Sequence, residues 1–293
     1  MAVETRPLPK PVRRGLGLRR GKQAQHALVH LILISVVVVL LFPTFWALST
    51  SLKPLGDIFL YPPKWIPNPI RWQNYADAVN TFPFWRYFMN TFIITGLSIV
   101  GKVISVTLVA FAFSRLQWWG RNTLFFIMLT TLMLPPHVTL IPQFILFKQL
   151  GWINTFLPLV VPEFFGGPFL TFLCRQFFMA IPRDLDDAAR IDGCSSFDVY
   201  WRIIMPMSAP IIIAVVIFVF NGQWNEFLHA LIYLQSPDKF TLAVGLRFFI
   251  GEAGTSWHLL MAAALLTMLP VLVIFFLGQK YFIQGIVFTG VKQ

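Results

Sequence analysis

PRDLDDAARIDGCSSFDVYWRIIMPMSAP, running from Pro182 to Pro210, is the stretch on which the reading of this chain turns. It puts five aspartates (Asp184, Asp186, Asp187, Asp192 and Asp198) within fifteen residues of a chain whose formal net charge is +11. Pro182 suits the first turn of a helix, where its missing N–H costs nothing. Asp184, Asp186 and Asp187 then fall where the helix dipole favours negative charge, with Arg190 near the opposite end. Gly193 is placed to stop that helix with a positive φ. Ser195 opens a second helix with Asp198 three residues on, a capping-box pattern, and this helix is expected to run to about Met205, before Pro206. Phe197, Tyr200, Trp201 and Ile204 recur at helical spacing as one apolar face. The first helix carries a smaller face of Leu185, Ala188 and Ala189. The segment over 182–206 therefore reads as a helix–glycine–helix elbow. A helix pair lying on lipid is the alternative, but such helices favour Lys and Arg toward anionic headgroups. Residues 184–198 hold one Arg against five Asp, which favours docking onto a partner protein.

Outward from the elbow the chain is apolar. Its 293 residues are 57% hydrophobic and 12% charged, with 31 phenylalanines and a mean hydropathy of +0.70. A soluble domain carries about 25% charged residues, so the fold class is an all-α integral membrane protein. At about 20 apolar residues per span, six transmembrane helices fit, near 27–50, 91–113, 122–144, 154–178, 208–230 and 259–280. They leave one membrane domain over 27–293 behind a basic tail, residues 1–26. That tail holds seven Lys/Arg and puts the N-terminus in the cytoplasm by the positive-inside rule. Six spans return the C-terminus, with Lys280 and Lys292, to the same side, and the elbow with it. Without the tail the split is eight against seven, so the orientation rests on it.

Several function classes drop out. The basic run Arg13–Lys22 precedes a span at once, which makes it a membrane anchor rather than a nucleic-acid patch. The apolar run from Ala27 to Ala47 is longer than the core of a cleaved signal peptide. Gly17, Gly21 and Lys22 miss the P-loop spacing, and Gln23 stands where Ser or Thr is required. Cys174 and Cys194 are expected to stay reduced. The five histidines are scattered without metal-ligand spacing, so neither a metal site nor a catalytic set is expected. The external loop 51–90 contains YPPKWIPNPIRWQNY, whose Pro62, Pro63, Pro67 and Pro69 exclude a regular helix and suggest a packed irregular docking surface.

Polar residues also fall inside the spans. At about 100° per residue, Asn221, Gly222, Asn225, Glu226 and His229 of the fifth span occupy an arc of about 140°, with Phe220, Trp224, Phe227 and Leu228 across from it. Polar groups facing lipid cost several kcal/mol. The candidate translocation path is therefore Asn221, Trp224, Asn225, Glu226 and His229, amides to bind hydroxyls and an aromatic wall. Helix–helix hydrogen bonding without solute contact is the competing reading. Lys102 and Glu163 are ionisable residues within spans, where a charge needs a partner, and each is a candidate for the other. The run Pro162 to Pro168, with Gly166 and Gly167, implies a broken helix there.

The elbow also carries a resemblance. Asp187-Ala188-Ala189-Arg190-Ile191-Asp192-Gly193, followed by Ile204-Met205-Pro206, resembles the EAA loop of ABC importer permeases, with Asp187 in place of the leading Glu. Ser51-Leu52-Lys53-Pro54, Asn90-Thr91, Ala112-Phe113-Ser114-Arg115, Leu150-Gly151-Trp152-Ile153-Asn154-Thr155 and Trp224-Asn225-Glu226-Phe227 are similar to the carbohydrate branch of that family. The resemblance implies a type I ABC importer transmembrane fold with an ATPase-coupling loop at Asp187, Ala188, Ala189, Asp192, Gly193 and Ser195. It also implies a sugar or sugar-like solute, alternating access and a bacterial or archaeal cell membrane. The partners would be a second permease, two ATPase subunits carrying ATP and Mg, and an extracytoplasmic solute-binding protein. The chain itself would bind no cofactor and catalyse no covalent step. A stand-alone secondary transporter is the alternative function, disfavoured by the acidic elbow and by the lack of an internal repeat.

Overall fold

The computed structural model describes the backbone of residues 16–251 and 254–287, and the side chains of 25–251 and 254–280. The charges of the basic tail and Lys292 lie outside the described residues. The first span lies in α1 (Leu16–Ser51), whose side chains from Leu28 to Leu41 are exposed as befits a helix facing lipid rather than core; it packs against α14 (Trp257–Val287). Between α1 and the second span the chain is irregular until α2 (Gln73–Asn80). That helix corrects the expectation for 51–90. No proline falls between Pro69 and Pro83, and the QNYADAVN within that interval is free to coil. It is held by Asn74, whose buried Nδ2 donates to the carbonyls of Ser51 (2.8 Å) and Lys53 (2.9 Å).

The second span, α3 (Phe84–Ser114), is the axis of the molecule. It packs against α7 (Pro168–Ala180), the turn Val161–Phe165 and α11 (Ala209–Trp224). The expected third span, 122–144, is not one rod: α4 (Arg121–Thr130) and its following turn to Met133 meet α5 (Pro136–Gln149) at 99°. Pro135 and Pro136 cause the break, since neither has an N–H to donate and each bars the residue before it from helical ψ. The fourth span is broken as expected, with α6 (Leu157–Val160) and the turn to Phe165 divided from α7 at Gly166, φ 84°.

The elbow holds α8 (Asp184–Ile191) and α9 (Ser196–Asp198), and a π-helical turn over Val199–Ile204 leads to α10 (Met205–Met207). A 78° bend then enters α11. After α11 come α12 (Leu228–Tyr233), α13 (Leu242–Gly245) and a two-stranded pair, β1 (Ile250–Gly251) with β2 (Gly254–Thr255), before α14. Among the described residues four helices are long and apolar enough to cross a membrane, and six spans result when each bent pair counts as one. One apolar cluster (Val106, Phe111, Phe178, Tyr200, Ile204 and Val215 among its members) joins α3 to the elbow. A second, with Phe82, Tyr87, Phe220, Trp224 and Ala263, closes the opposite end.

Candidate functional site

The elbow is shaped by local capping. Pro182 stands just ahead of α8, with Arg183 as its N-cap, and Asp184, Asp186 and Asp187 fill the first turn. At the other end Cys194 N–H donates to Ala189 O (2.9 Å) and Gly193 N–H to Arg190 O (3.1 Å). This Schellman pair needs Gly193 at φ 84°, a left-handed conformation unfavourable by about 1–2 kcal/mol for other L-residues. Ser195 caps the next helix reciprocally: its Oγ accepts from Asp198 N–H (3.2 Å), while the Asp198 carboxylate accepts from Ser195 N–H (3.1 Å). The Ser195 hydroxyl and then its N–H hold the Asp198 carboxyl below the ordinary carboxylate range.

Burial corrects the expected faces. On α8 the buried side chains are Asp186 and Ala189, while Leu185 and Ala188 are exposed. Beyond it the π-helical turn rotates the backbone out of ordinary α register, so the single face expected for Phe197, Tyr200, Trp201 and Ile204 divides. Tyr200 and Ile204 are buried, at 3% and 0% exposure, whereas Phe197 and Trp201 project outward at 66% and 60%.

The inner face is bolted to the bundle. Arg115, at the end of α3, donates through Nη2 to Phe178 O (2.7 Å) and Ile181 O (2.8 Å), and its Nη1 lies 3.2 Å from Asp186 Oδ2. Tyr200 shares a hydrogen bond with Thr107 Oγ1 (2.9 Å) and sets its ring 5.3 Å from that of Phe111. The outer face is open: Asp187, Ala188, Asp192, Gly193 and Ser195 are all exposed, as is Ile191, and of the expected coupling residues only Ala189 turns inward. Sequence reasoning missed Arg115 and Asp186. Asp186 was one of three aspartates in the first turn of α8 with nothing in spacing to single it out, and its partner lies at the end of another helix.

A second polar cluster lies within the spans. Lys102 Nζ is 2.6 Å from Glu163 Oε2 and donates to Gly166 O at 2.6 Å, so the two intramembrane charges are brought together. Gln223 Nε2 donates to Glu163 Oε1 (3.0 Å) and Ser105 Oγ to Glu163 O (3.1 Å). The helix break at 161–167 is thereby tied to both α3 and α11. Gln223 went unrecognised as a site residue, although it stands in the polar run Asn221–Glu226.

The projected arc over 221–229 does not survive intact, because α11 ends at Trp224. Asn225 folds back to donate to Asn221 O (2.8 Å) and Asn221 Oδ1 (3.1 Å), and both residues stay exposed. Glu226 accepts from His229 N–H (2.9 Å) and sits 3.1 Å from His229 Nδ1. Trp224 is the exception: it is 3% exposed, stacked on Phe220 at 5.1 Å, and donates to Thr267 O (2.9 Å). It belongs to the packed core and not to an open wall.

A bundle of up to six spans, a satisfied charge cluster within it and a capped elbow projecting from one end define a membrane transport subunit. The family model described as binding-protein-dependent transport system inner membrane component matches residues 106–287, and the chain belongs to that family. It is an ABC transporter permease subunit, a transport protein and not an enzyme. It is 33% identical over 269 residues to the probable ABC transporter permease protein YurM of Bacillus subtilis, covering 90% of this chain and 88% of that one. To the arabinooligosaccharides transport system permease protein AraQ of Bacillus subtilis it is 32% identical over 255 residues, 86% and 90% of the two chains. Its fold matches the crystal structure of a bacterial ABC transporter involved in import of the acidic polysaccharide alginate. That match has a TM-score of 0.78 at 21% identity and covers 94% of this chain and 100% of the other.

Proposed function

We propose that this permease carries a sugar or sugar-like solute inward across a bacterial or archaeal cell membrane by alternating access. Separate ATPase subunits, holding ATP and Mg, would seat on the elbow. The supporting observation is the elbow's division into two faces. Its inner face is locked to α3 through Arg115–Asp186 and Tyr200–Thr107, with Arg115 also holding Phe178 O of α7, while its outer face offers Asp187, Ala188, Ile191, Phe197 and Trp201 to a partner. The elbow then runs directly through the 78° bend into α11, so a push on the outer face reaches the helix that bears Gln223 and Asn221. The remaining partners in this reading are a second permease subunit and an extracytoplasmic solute-binding protein, with both termini and the elbow on the cytoplasmic side. The sugar class is supported by AraQ, whose name states arabinooligosaccharide transport.

The test is ATP hydrolysis by the complete complex reconstituted with its ATPase and binding protein. Asp187→Lys reverses an exposed charge, and Gly193→Pro cannot adopt φ 84° or donate to Arg190 O. Each is expected to lower solute-stimulated hydrolysis at least tenfold or to release the ATPase during purification. Survival of both stimulation and assembly in both variants would remove the elbow from the coupling path.

A further inference from the structure

The Lys102–Glu163–Gln223 cluster does more than pin a broken helix. At about 1.5 Å per residue, Lys102 lies roughly 27 Å from the start of α3 and 18 Å from its end, well inside the span. Beside it opens a cavity of about 290 Å³ whose lining includes Lys102, Glu163, Phe169, Phe218, Gly222 and Gln223. The cavity wall combines groups that rarely meet in a membrane interior. Glu163 offers carboxylate acceptors and Lys102 an ammonium, each side chain only partly exposed, at 20% and 13%. Gln223 Nε2 donates to Glu163 Oε1 and so braces that carboxylate at the cavity's edge. Phe169 and Phe218 meet edge to face at 5.7 Å, each 40% or more exposed. Gly222 leaves the floor bare, since a Cβ built there meets nothing within 4 Å.

A carboxylate and an ammonium to exchange hydrogen bonds with hydroxyls, beside exposed aromatic rings, are the chemistry that recognises a polyhydroxylated ring. A lipid-facing position would expose the charges at a cost of several kcal/mol. The volume stands near the lower end of ligand pockets, about 300 Å³, which suits a single sugar-sized unit. We infer that this cavity is a solute subsite of the translocation path, in which Glu163 and Lys102 exchange hydrogen bonds with the hydroxyls of one sugar unit beside the Phe169–Phe218 pair, with Gln223 holding Glu163 in place. The inference rests on the reading of the chain as a solute permease. A purely structural tie between the helices would use the same ion pair but would leave the cavity dry or lipid-filled.

Gly222→Cys separates the two, because the added side chain enters open space and disturbs no packed neighbour. In the full complex in lipid nanodiscs, with Cys194→Ser to remove the half-exposed native thiol, the probe is a charged methanethiosulfonate reagent bearing a trimethylammonium group. The expected result is modification of the Gly222→Cys thiol, slowed at least threefold by arabinotriose, with none at Val39→Cys on the exposed stripe of α1. No modification of Gly222→Cys, or a rate that arabinotriose does not change, overturns the inference. The labelling rate needs no turnover, so failure of the permease reading shows separately, as wild-type complex that does not take up solute with ATP.

Discussion

At the residue scale, two neighbouring aspartates have opposite fates. Asp186 is buried at 7% exposure against Arg115 at 6%, whereas Asp187 faces outward. Removing one partner of a buried ion pair strands the other charge, at a cost of about 3 kcal/mol; an exposed carboxylate without such a partner is worth within about 0.5 kcal/mol. Thermal unfolding of the purified complex is therefore expected to drop sharply for Asp186→Ala and to stay near wild type for Asp187→Ala. Equal midpoints for the two variants would show that the Arg115–Asp186 pair does not hold the elbow. This distinction was not legible beforehand. Three aspartates in a first helical turn look alike by composition and dipole, and Arg115 reaches Asp186 only after α3, α7 and α8 have packed. Lys102 and Glu163 were easier to read, because an ionisable residue inside an apolar span has few affordable environments.

At the element scale, what depends on nearest neighbours could be read in advance and what depends on packing could not. The stop at Gly193 and the Ser195–Asp198 capping box are fixed within four or five residues, and both stand as the sequence implies. The break at Pro135-Pro136 was overlooked because hydropathy runs on across it; a window average registers apolar character and is blind to a missing N–H, while the end of α11 at Trp224 falls in a polar run with no proline to mark it. The π-helical turn over Val199–Ile204 has no sequence signature of this kind, and within it Trp201 is exposed while Tyr200 and Ile204 are buried. Ser195→Ala removes the side-chain half of the cap, worth about 1 kcal/mol. Amide hydrogen exchange at Ser196–Asp198 should then quicken about fivefold with α3 unaffected, while unchanged exchange would mean that tertiary contacts rather than the cap set the start of α9. The same substitution removes the hydroxyl that holds Asp198 down, so its carboxyl should titrate closer to the ordinary range. Its depressed value means that the ionised cap is present at neutral pH and is lost only as pH falls through that value.

At the scale of the whole molecule, the apolar excess and span count follow from composition, since 57% hydrophobic residues leave too little polar surface for a soluble fold. The exposed side chains of α1 from Leu28 to Leu41 are the surface such a chain turns to lipid or to a second membrane subunit. What holds this scale together is the elbow: gripped from within by α3 and α7, open outward, and continuous with α11. In the proposed function, solute movement through this bundle is driven by ATP hydrolysed on another subunit and transmitted through that elbow. Uptake of labelled arabinotriose into proteoliposomes measures it most directly, comparing the chain with its copurified ATPase, second permease and binding protein against the chain alone under an ion gradient. Accumulation is expected in the complete complex only when ATP is enclosed with the ATPase, and none by the chain alone. Gradient-driven uptake by the chain alone, without ATP, would contradict it.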